Sequence, residues 1–114
     1  MAGTLEIRDD VVWMPAGWLF DNVLELIARE LEVRDPALAS VLLKARTSEG
    51  TGYLDLRKLA REQFQTLTHA AIAAYDHAIA EGATAFALPS FFATFLKHFE
   101  QLKNQLESDQ RSSN

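Results

Sequence analysis

The sequence predicts a mainly α fold: a single-domain four-helix arrangement, with room for a small two-stranded β element. Three observations carry that expectation. Apolar residues recur at helical spacing in four separate stretches. The three prolines, Pro15, Pro36 and Pro89, each stand where a helix can open, because a first-turn residue needs no N–H. Only two short runs, around Leu5–Ile7 and Tyr53–Leu56, have the look of strands.

The first strand candidate, "TLEIRDDVVW", alternates at Leu5 and Ile7 and ends in an apolar clump at Val11, Val12 and Trp13. Its expected partner is "GYLDL", and so short a pair must lie on the helices to persist. From Pro15, "PAGWLFDNVLELIARELE" sets Leu19, Phe20, Val23, Leu24, Ile27 and Leu31 on one side, with Asp21, Glu25, Arg29 and Glu32 opposite. Gly17 weakens the first turn and moves the expected start towards Trp18.

Asp35 followed by Pro36 is a helix start, since the carboxylate can accept from backbone N–H groups that lack partners. Leu38, Val41, Leu42 and Ala45 form the expected buried stripe of that helix, and "TSEGTG" ends it. The third and longest helix places Phe64, Leu67, Ala71, Ile72, Tyr75 and Ile79 inward and stops at Gly82. Its start is set either by Asp55 as the cap or by a single turn at 56–59 that precedes it.

The last helix, opened by Pro89, carries Phe92, Phe95, Phe99, Leu102 and Leu106 on one stripe, with Phe91 and Leu96 beside it. Each such side chain contributes roughly 1.5–3 kcal/mol when buried. The phenylalanine half is therefore expected to seal the core. Leu102 and Leu106, amid Lys103, Asn104, Gln105 and Glu107, are expected to overhang and offer a homodimer seam. The tail "SDQRSSN" has no apolar residue, so the helical domain is set at 1–108 and a disordered tail at 109–114.

The length of 114 residues suits one domain, and the 48% apolar and 24% charged composition is that of a soluble globular protein. There is no cysteine, which excludes a disulfide framework and thiolate metal sites and fits a reducing compartment. No apolar run approaches the roughly 18 residues of a membrane span. The N-terminus lacks a basic start followed by an apolar stretch. The expected location is the cytoplasm, without a membrane partner.

Motifs for chemistry are missing. There is no phosphate-cradling glycine loop, no nucleophile elbow and no paired metal-binding histidines. His69 and His77 lie eight residues apart on one helix, about 12 Å along its axis, too far to share an ion. Glu62, His69 and Asp76 step by seven, about 10 Å each, beyond acid–base reach. No catalytic residue, metal site or cofactor is assigned, and enzymatic activity is not expected.

Charge is unevenly placed. Residues 1–35 hold eight acids against three bases, a net of −5, the whole formal charge of the chain. Such a face steers a basic partner. The leading expectation is a non-catalytic acidic interaction module, most concretely a cytoplasmic immunity- or antitoxin-type inhibitor of a basic toxin domain. Asp9, Asp10, Asp21, Glu25 and Glu32 would steer, and Trp13 or Trp18 would anchor. Two alternatives stand beside it. One is a small-molecule-binding or enzymatic helical domain with a pocket near His69, Tyr75 and His98. The other is a regulator touching nucleic acid through residues 44–61, where Lys44, Arg46, Arg57, Lys58 and Arg61 cluster, although the overall negative charge opposes it.

Overall fold

The computed structural model describes residues 2–85 and 89–112. In chain order it comprises β1 (Thr4–Arg8), β2 (Val11–Trp13), α1 (Gly17–Leu31), α2 (Pro36–Ala45), β3 (Tyr53–Asp55), α3 (Arg61–Glu81) and α4 (Phe92–Glu107), with short 3-10 turns at Ala83–Ala85, Pro89–Phe91 and Gln110–Ser112. The mainly α arrangement of four helices is as the periodicity predicts.

The sheet has three strands rather than two, in the order β2-β1-β3. β1 pairs with β3, the partner the sequence suggests, and the structure sets the direction as parallel with Leu5 opposite Leu54. The added strand is the apolar clump itself. The chain turns back at Asp9 and Asp10, and β2 pairs antiparallel with β1, Leu5 opposite Trp13. No non-glycine residue among those described has positive φ, so this turn is not a mirror-image type. A register shift between Glu6 and Arg8 takes up the misfit.

Leu5, Ile7 and Trp13 point inward and meet the helices, while Glu6 and Arg8 stand on the other face. α1 is central. Its face of Leu19, Phe20, Val23, Leu24, Ile27 and Leu31 is buried against α2 and α3. Gly3 crosses directly over Phe20, where an added Cβ would fall 2.1 Å from the ring, so no larger residue fits this approach.

α2 starts as expected: Asp35 Oδ1 accepts from the Leu38 N–H at 3.1 Å. Its stripe is narrower than predicted, because Val41 lies on the exposed flank. α3 follows a turn closed by Leu59 N–H on the Leu56 carbonyl and ends at Gly82 with φ 76°. Ile79, expected inward, is exposed, while its neighbour Ala78 takes the position packed against the core.

α4 packs on α3 with Phe95, Phe99, Leu102 and Leu106 all fully buried. The expected overhang is not there. Both leucines are consumed within the chain, so the seam proposed for a second copy is covered. What covers them includes the tail. Asp109 is buried, Gln110–Ser112 form a 3-10 turn, and Arg111 reaches back across the sheet. The prediction of disorder is corrected for 109–112; the last two residues lie outside the described residues. Composition misled because what holds this segment is polar: carbonyl oxygens far away in sequence.

Candidate functional site

The two tryptophans divide cleanly. Trp13 is 1% exposed, stacked on Phe20, and its indole Nε1–H donates to the His98 carbonyl at 3.0 Å. It is a core residue and presents nothing to a partner. Trp18 is 37% exposed at the start of α1. Its ring meets Phe91, itself 48% exposed, edge-on at 5.7 Å between centroids. Phe91 falls outside the inward stripe of α4 because it lies in the 3-10 turn before the helix.

Beyond this pair lies a cleft of about 240 Å³ lined by α1, the end of α3 and the start of α4. Asn22, Glu25, Leu26 and Arg29 continue the Trp18 stripe of α1 along one wall, and Phe92 and Phe95 form part of the apolar lining. The last turn of α3 supplies Ala78 and Glu81. His77 Nδ1 lies 2.6 Å from Glu30 Oε1 and ties α3 to α1 at the rim.

The carboxylates expected to steer a partner do not form one face. Asp9 and Asp10 sit at the hairpin tip, six residues along β1 from Gly3, about 20 Å from the Trp18 end. They are exposed but paired, Asp9 with Arg57 at 3.4 Å and Asp10 with Arg8 at 3.4 Å. Asp21 is structural. It accepts from Thr47 N–H at 2.6 Å, Thr47 Oγ1 at 2.7 Å and Ser48 N–H at 3.2 Å, fixing the loop after α2. Glu25 receives Arg46 Nη1 at 2.7 Å on one oxygen. Glu32 is exposed past the end of α1, about 20 Å from Trp18.

Two arginines of the basic cluster are likewise answered internally. Arg46 bridges Glu25 and Glu49, and Arg57 meets Glu6, Asp9 and Asp55. The Arg57 guanidinium beside Asp55 holds that carboxyl down at about 2. These pairings leave less positive field for a phosphate backbone than the sequence implies.

His69, Tyr75 and His98 do not converge. His69 is exposed on α3. Tyr75 is packed on Phe99 and donates its hydroxyl to Glu100 Oε2 at 2.9 Å; burial, and then that carboxylate, raise its pKa. Neither the cleft beside Trp18 nor a second, open one at Arg8, Arg57 and Arg111 is lined by any of the three. Among the described residues no three His, Asp or Glu side chains come together as a metal site, and no helix is long and apolar enough to cross a membrane.

Sequence reasoning named Trp18 and Glu25 but missed Phe91, His77 and Glu81. One signal was present: Glu81 stands in the last turn of a long helix that carries no basic residue there. Comparison of the chain with known family models, curated proteins and solved structures finds no match.

Proposed function

We propose that this chain is a non-catalytic protein-interaction module that meets its partner over the Trp18 side of α1. In its most concrete form it is a cytoplasmic inhibitor of the immunity or antitoxin type, neutralising a basic toxin domain. The observation that carries the reading is the exposed Trp18–Phe91 pair beside a cleft bordered by Glu25 and Glu81. Large aromatics next to a charged rim are the residues that dominate binding energy at interfaces. The acidic N-terminal third adds long-range attraction for a basic surface, even where its carboxylates are locally paired.

A small-molecule site in the same cleft is the competing reading. Its volume of about 240 Å³ falls below the roughly 300–1,000 Å³ usual for ligand pockets. That favours a single inserted side chain over a metabolite.

The test is affinity capture from the native host with the tagged chain, at low and moderate salt, comparing wild type with Trp18→Ala. The expected result is a protein partner with a basic contact region, held by the wild type and at least tenfold depleted by the substitution, since an anchoring aromatic contributes about 2 kcal/mol or more. Absence of any protein partner at both salt concentrations overturns the proposal. For the inhibitor version, co-expression with the product of the adjacent gene is expected to suppress that product's toxicity.

A further inference from the structure

We propose that the cleft between α1, the end of α3 and the start of α4 receives one Lys or Arg side chain of the protein partner, while an apolar neighbour of that side chain seats on the Trp18–Phe91 pair. The inference rests on the reading of the chain as an interaction module and adds where the contact lies and what it selects.

Size comes first. A volume of about 240 Å³, lined by Leu26, Phe92 and Phe95, accepts a long side chain whose methylene stem lies on apolar walls. Charge comes second. α3 ends at this cleft, and the C-terminal end of its dipole acts as roughly half a negative charge. A helix usually answers that end with Lys or Arg. α3 has neither in its last turn and adds Glu81 instead. Glu25 faces the same space from α1, carrying Arg46 on one oxygen. A cation brought by a partner meets both the helix end and the carboxylates.

The rim also limits what enters. Arg29 stands one turn beyond Glu25 on the same wall, and Glu30 is engaged with His77. The site therefore suits a single cation with apolar flanks rather than a polybasic run. The Trp18–Phe91 pair supplies the flank.

Two capped peptides probe this directly in the full chain, one with Arg between leucines and one with Glu in its place, read by Trp18 fluorescence. The Arg peptide is expected to saturate the signal and to bind at least about threefold tighter than the Glu peptide, the size of a partly exposed charge interaction. Glu81→Lys is expected to close that gap. The same substitution places a cation at a helix C-terminus, so the variant is expected to melt at or above the wild-type temperature, which separates lost recognition from lost fold. Equal binding of the two peptides, no saturable response, or an unchanged preference in Glu81→Lys overturns the proposal. Affinity capture distinguishes the two failures. A partner held equally by wild type and Glu81→Lys sinks the cleft and leaves the interaction reading. A wild-type chain that captures nothing sinks the interaction reading, and the peptides still decide what the cleft selects.

Discussion

The guanidinium of Arg111 lies 3.9 Å from the centre of the Phe64 ring. From there its Nη2 donates to the Ile7 carbonyl at 2.7 Å and its Nη1 to the Leu56 carbonyl at 2.6 Å. Asp109 receives the Nε–H at 3.0 Å and holds the group in place. One side chain near the end of the chain thus ties β1, the turn after β3, and α3 together. Arg111→Ala is expected to lower stability by about 2–4 kcal/mol, because charge-assisted bonds to buried carbonyls are lost along with the stacking. Arg111→Lys is expected to recover only part of that, since an ammonium cannot reproduce the planar fork. Urea denaturation of the three proteins checks both; an Arg111→Ala variant within 0.5 kcal/mol of wild type, about the usual surface effect, refutes the account.

Acid should loosen the same corner. Asp109 is held below the ordinary carboxylate range chiefly by its hydrogen bond from Arg111, and Asp55 is held at about 2 chiefly by its bond from Arg57. Both folded values lie below the unfolded value of about 3.9. Their stabilisation is therefore fully present above about pH 4 and is lost as pH falls towards 2. Urea midpoints are expected to drop over that window. Asp109→Asn is expected to start lower at pH 7 and to fall less. A wild-type midpoint that stays level from pH 4 to 2 contradicts the assignment.

The two tryptophans should separate by quenching. With Trp13 buried and Trp18 exposed, Trp18→Phe is expected to remove most acrylamide-accessible fluorescence while changing stability by less than about 1 kcal/mol. Trp13→Phe is expected to leave the quenchable signal intact and to destabilise by about 1–3 kcal/mol, from the lost bond to His98 and the space left beside Phe20. Comparable quenching of the two single-tryptophan proteins would reverse the assignment.

Asp21 distinguishes scaffold from surface. Its three accepted hydrogen bonds fix Thr47 and Ser48. Asp21→Ala is expected to cost about 1–3 kcal/mol, in line with unpairing donors from a charged acceptor. Amide exchange at Thr47 and Ser48 is expected to accelerate. If stability is unchanged and exchange is not faster, Asp21 is free for the steering role instead.

Much of the architecture was legible in local pattern. Asp35–Pro36 set the start of α2, Gly82 closes α3, and Phe95 and Phe99 lie inward as their spacing requires. The candidate site was legible only in part. Trp18 could be named because large aromatics stand beside acids there, and Glu25 because acids concentrate in residues 1–35. Phe91 and Glu81 could not be joined to them, because that depends on how the ends of α3 and α4 approach α1. Val41 and Ile79 show the opposite error: each follows an apolar stripe, yet no neighbouring element reaches the flank where it lies.

The sequence by itself determined the helices and their inward faces, because periodicity and capping act within a few residues. Only the tertiary structure decided which tryptophan meets solvent, that the apolar clump at Val11–Trp13 becomes a third strand, and that a polar tail is folded in. Each of these turns on partners distant in the chain or on which surfaces other elements cover. The Trp13 indole finds its acceptor 85 residues away and Arg111 finds Ile7 at 104. No local pattern encodes an acceptor at that range, because a hydrogen-bond donor carries no signature of the carbonyl that will satisfy it.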